Sequence, residues 1–187
     1  MEPLDHSSQM LQPEPASQWP IALRWGLIGG LAGIALQLIW QIAGLVSYTE
    51  PFSTGNLLLS PLSWGISLAA IALGIRQYRD EQLQGIIPFG KAFVLGFRIS
   101  LVMALLSAIF TVTYLSDITK EAMNEVMQAQ MESQGLDDSD MENAMKLSGF
   151  FTSPLFMGLS TFLGGAIWGA LLALVGAAVM RKEPPQV

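Results

Sequence analysis

The 187 residues contain no cysteine. That excludes a disulfide, a thiolate metal site and an acylated lipobox cysteine, and it leaves the redox compartment unspecified. Histidine is nearly missing as well: His6 stands alone in a polar segment, so a His-based triad or a zinc site within the apolar part is excluded. No P-loop, HExxH or GxSxG pattern occurs. Charge is scarce too, at 13% of residues against 51% hydrophobic, which is wrong for a soluble domain of this length. Only nine Lys and Arg stand against fifteen Asp and Glu, and they form no cluster of the kind a phosphodiester surface needs, so nucleic acid is not an expected partner. The first twenty residues, rich in Pro, Ser, Gln and acids, lack the basic start and apolar core of a signal peptide. They read as a disordered cytosolic tail.

What is present is long uncharged sequence. Charges cost several kcal/mol at mid-bilayer, so intervals between them mark where hydrocarbon can be crossed. Four such windows exist: Trp25 to Thr49, Pro51 to Ile75, Ile99 to Ser116, and the stretch between Lys146 and Arg181. The third is short and is expected to borrow length from the segment before it. The fourth starts at Ser153-Pro154, a good helix opening because proline at the first helical position loses no hydrogen bond. These windows predict spans at about 25–46, 57–75, 92–115 and 154–180 inside a domain covering 22–182, with tails at 1–21 and 183–187.

Lys and Arg set the expected orientation, because positive flanks are retained in the cytoplasm. Arg24, Arg76, Arg79, Lys91, Arg98, Arg181 and Lys182 fall on one side of the four spans; Lys120 and Lys146 fall on the other. Both termini and the 76–91 loop are therefore expected inside, and the 48–56 and 117–151 loops outside.

The long outer loop carries most of the acids. Ile118, Ala122, Met123, Val126, Met127 and Met131 recur at helical spacing, Gly135 reads as a helix stop, and Ser139 with Glu142 forms a capping box. A short helical hairpin over the mouth of the bundle is expected. Met123, Met127 and Met131 offer three thioethers of the kind Cu(I) accepts, and the Asp137, Asp138, Asp140, Glu142 run offers oxygens for Ca²⁺. The plainer readings are adaptable packing and a solvated first helical turn, so no metal or cofactor is assigned.

On the inner side Phe89, Phe93 and Phe97 fall within a narrow helical arc, while Lys91 and Arg98 project nearly opposite. Such a segment either lies in the headgroup layer or forms the first turns of the third span, with Arg98 reaching the interface. With Arg76 and Arg79 these residues make the candidate surface for lipid or a protein partner. Gln37 and Gln41, one turn apart on the first span, are the candidate intramembrane polar pair; interhelical hydrogen bonds explain them without a ligand. A conduction path would display intramembrane charges or interrupted helices, and neither is evident. Gly26 with Gly30 and Gly29 with Gly33 form overlapping close-approach rows on the first span, as do Gly165 and Gly169 on the fourth. They serve packing within the bundle or, as the alternative, a homo-oligomer.

The segment GIRQYRDEQLQGIIPFGKAFVLGF resembles a bacterial membrane family catalogued as domain of unknown function 4199. The residues that carry the likeness are Tyr78, Arg79, Asp80, Gly85, Phe89, Gly90, Ala92, Phe93 and Gly96, and it extends from about Ala22 onward. The resemblance implies a bacterial inner-membrane address and a topology; it supplies no catalytic residue.

The expectation is an all-α integral membrane protein: a four-helix transmembrane bundle with a short helical hairpin in its outer loop. It is expected to be non-enzymatic and to act through lipid or protein contacts. A small transporter or channel component, with Gln37, Gln41 and Arg98 lining a path, is the alternative; a metal-dependent membrane enzyme is the second.

Overall fold

The computed structural model describes residues 17–47, 52–115, 118, 120, 121 and 149–182. Among them, four helices are long and apolar enough to cross a membrane, which marks the chain as a multi-pass membrane protein. They are α1 (Trp19–Ile42), α2 (Thr54–Gln82), α3 (Phe89–Phe110, continued by a π-helical turn Thr111–Leu115) and α4 (Pro154–Met180). Helices are the expected solution in lipid, because each satisfies its backbone polar groups internally. No strand occurs among the described residues; the only β-type pairing is an isolated bridge between Ile87 and Lys182. The expected outer-loop hairpin, with its methionine row and acidic run, falls almost wholly outside the described residues, as do most of the N-terminal tail and residues 183–187.

Helix ends follow local chemistry rather than the edges of the charge-free windows. α1 begins at Trp19, with Pro20 in its first turn, well before Arg24. It stops at Gly44, whose φ of +69° lets the Gly44 and Leu45 amides bond back to the carbonyls of Gln41 and Trp40. That is the glycine-terminated cap of an α-helix. α2 starts at Ser53, whose Oγ accepts from the Asn56 amide at 3.4 Å. It runs on through Arg76 and Arg79 to Gln82, so most of the expected inner loop is helix; the stop is the left-handed pair Gln84 and Gly85. Charge ends a hydrocarbon crossing but does not end helical hydrogen bonding. α3 starts at Phe89, so the Phe89 to Arg98 segment is the opening of the third helix. α4 starts at Pro154 after the Ser153 cap.

α1 and α4 lie on opposite sides of the bundle, each packed on both α2 and α3. The α3–α4 seam is the closest. Gly96 lies against Ala173, Gly165 against Ala104, and Gly169 against Ser100, with no room at Gly169 for a side chain. The Ser100 hydroxyl donates to the carbonyl of Gly96 at 3.0 Å and is within 3.1 Å of that of Gly169. Against α1, Gly26 meets Val102, Gly29 meets Met103 and Ala70, and Gly30 meets Leu106. Gly33 faces open space.

The buried cluster of Ile71, Ile75, Tyr78, Ile87, Leu95 and Ile99 sits toward the end where α2 meets α3. Elsewhere the large apolar side chains point outward: Leu155 is 81% exposed, Val179 72% and Ile167 65%. In water such a surface would aggregate; in a bilayer it is solvated by acyl chains.

Candidate anion-binding groove at the basic end

Three segments converge at the end of the bundle that carries Arg76, Arg79, Lys91, Arg98, Arg181 and Lys182. Ile87 and Lys182 exchange backbone hydrogen bonds of 3.0 and 3.1 Å, joining the α2–α3 connection to the end of α4. Gln18, just before α1, donates from Nε2 to the Lys91 carbonyl at 3.3 Å and accepts from Arg98 Nη1 at 3.1 Å. The Arg98 guanidinium also lies over the Trp19 ring, 5.1 Å from its centroid. Gln18 thus ties the start of α1 to the start of α3, and Trp19 gives the cation an aromatic floor.

Between these parts is an open groove of about 470 Å³, with Gln18, Trp19, Tyr78, Gly90, Lys91 and Arg98 in its wall. Among the described residues its lining holds two cations and no acid. The N-termini of α1 and α3 both open on it, and neither Gln18 nor Pro88 caps its helix through a side chain; Ser17 Oγ accepts from the Trp19 amide at 3.4 Å. Helix N-termini carry partial positive charge and favour anions. The arrangement suits a phosphate or carboxylate group.

The other members of the expected contact surface divide. Arg76 and Arg79 share Asp80, at 3.6 and 2.8 Å; Arg76 and Asp80 are exposed and Arg79 is half-buried, and such surface pairs add little stability. Phe89, Phe93 and Phe97 stack in a row with centroids 6.4 and 6.1 Å apart, and Phe93 packs on the buried cluster. Arg24 and Lys91 are exposed.

Gln37 and Arg98 line separate pockets. Gln37 lines a second pocket, of about 280 Å³, in the other half of the bundle. The two pockets have no lining residue in common, and buried Ile99 follows Arg98 on α3 before the second pocket begins at Met103. Gln41, one turn beyond Gln37, has its side-chain oxygen buried without a hydrogen-bond partner among the described residues.

A family model described as protein of unknown function (DUF4199) matches residues 24–182. The chain belongs to that family. No curated protein and no solved structure matches it. The residues that carry the DUF4199 resemblance have identifiable structural tasks here. Tyr78 and Ala92 are buried, Gly85 takes a φ of +90° to end the α2 turn, Gly96 admits α4, and Asp80 holds the two α2 arginines.

Sequence reasoning missed Gln18 and Trp19, because a polar tail has no periodicity to show where a helix begins. It missed Ser63, Ser67 and Thr161 of the second pocket as well. The four-residue step from Ser63 to Ser67 was the available signal.

Proposed function

We propose that this DUF4199 protein is a non-enzymatic multi-pass protein of the bacterial inner membrane, with both termini and the basic end in the cytoplasm. It acts by binding the phosphate of anionic phospholipid in the groove at Lys91 and Arg98, and it offers that same end to a protein partner. The observation that carries this reading is the convergence of two cations, two helix N-termini and an aromatic floor on one groove that has no acid among its described lining residues. Each basic side chain near an anionic leaflet contributes about 1 kcal/mol, and a helix N-terminus about 0.3–1 kcal/mol. The positive-inside distribution of Lys and Arg supports the orientation.

The experiment is thermal unfolding of purified protein in neutral detergent, with phosphatidylglycerol or cardiolipin added against phosphatidylcholine. Anionic lipid is expected to raise the midpoint of the wild type and of Arg76→Ala, and to have much less effect on the Lys91→Ala, Arg98→Ala double variant. Equal response of all three proteins would overturn the assignment.

A further inference from the structure

The pocket in the other half of the bundle has a chemistry of its own, independent of the lipid reading. It lies where the four helices meet, and its wall carries Gln37 from α1, Ser63 and Ser67 from α2, Ser107 and Thr111 from α3, and Thr161 from α4. None of these is charged. Gly29 and Gly30 line the wall where Met103 and Leu106 pack on them, and Gly33 opens the space: a Cβ added there would meet nothing within 4 Å.

The polar heads do not use one another up. Ser63 and Ser67 donate to the carbonyls of Leu59 and Ser63 on their own helix, each at 2.9 Å, which leaves their oxygen lone pairs free to accept. Thr161 and Thr111 make one long contact of 3.4 Å. The Gln37 amide and the Ser107 hydroxyl make no hydrogen bond among the described residues. Ser100 shows what a packing hydroxyl looks like in this bundle: buried, and engaged with two carbonyls. Unused donors and acceptors at membrane depth cost several kcal/mol per group unless something polar meets them. The space is far larger than the ~10–15 Å³ that one water needs.

We propose that this pocket is a hydrated binding site for a small neutral molecule bearing both hydrogen-bond donors and acceptors, of the polyol or amide class. Gln37 supplies the donors, Ser63 and Ser67 the acceptors, and Ser107 either. An ion is disfavoured because, among the described residues, no charged side chain lines the wall.

The absence of cysteine makes the test clean. Ser107→Cys in the pocket and Leu105→Cys on the exposed face of the same helix are treated in permeabilised membranes with a small neutral hydrophilic methanethiosulfonate. Reagent then reaches both sides, so the result does not depend on orientation. Ser107→Cys is expected to react on the order of ten-fold faster, because thiol reaction follows access and ionisation. Glycerol or urea, as the probe, is expected to slow that reaction without affecting Gly149→Cys. Adding Gly33→Leu, which fills the space, or Gln37→Leu, which removes the donors, should abolish the protection. Equal rates at positions 105 and 107 would overturn the hydrated site, and fast modification that neither probe slows would overturn binding.

Discussion

The Ser100 hydroxyl lies 3.1 Å from the carbonyl oxygen of Gly169, and it can do so only because Gly169 has no side chain. This contact sits in the middle of the α3–α4 seam, where backbones touch and dispersion contacts replace the hydrophobic drive that lipid removes.

Gly169→Leu is therefore expected to lower the thermal midpoint in detergent strongly, since its side chain would displace Ser100. Ser100→Ala should cost less, about 0.6 kcal/mol as for an average interhelical hydrogen bond. Gly33→Ala, whose new methyl meets nothing, should leave the midpoint unchanged. Equal effects at Gly169 and Gly33 would refute the seam.

Trp25 on α1 donates from Nε1 to Gln77 Oε1 at 2.7 Å, while Gln77 Nε2 donates to the Glu81 carboxylate at 3.1 and 3.0 Å. Gln77→Leu removes the acceptor of this part-buried donor and is expected to destabilise by about 1 kcal/mol. Glu81→Gln keeps an acceptor for Gln77 and should be nearly neutral. Thermal scans of the two variants check the difference.

The α1–α2 turn is held by Asn56, whose side chain accepts from the Ser47 amide at 3.3 Å and donates to the Ser47 carbonyl at 2.6 Å, and by Trp40 Nε1 donating to Gly55 O at 3.1 Å. Asn56→Leu should raise amide exchange in 43–47 before it lowers global stability. Unchanged exchange there would remove the clamp from the account.

Arg98→Lys preserves the charge but not the planar fork that reaches Gln18 or the guanidinium face over Trp19. Stabilisation by anionic lipid is expected to fall between wild type and Arg98→Ala. A lysine variant indistinguishable from wild type would mean that charge alone acts in the groove.

The four-helix architecture was legible because lipid imposes a coarse rule: long intervals without charge, each closed by Arg or Lys at one end at least. Ser153-Pro154 marked the start of α4, and the glycine rows marked faces that now lie against Val102, Met103 and Ser100. Helix ends were less legible, since Arg76 and Arg79 stay helical and the stops at Gly44 and at Gln84-Gly85 depend on backbone conformation. The groove and the second pocket were legible only in part. Each is assembled from residues far apart in sequence, such as Gln18 with Arg98 and Gln37 with Thr161, and no local pattern links them.

The most direct measurement is labelling of single cysteines in intact cells with a membrane-impermeant maleimide, using Gln82→Cys at the basic end and Gly149→Cys at the other. Reaction at position 149 alone is the result expected of a bundle whose lipid-binding groove faces the cytoplasm. Reaction at position 82 from outside would contradict it.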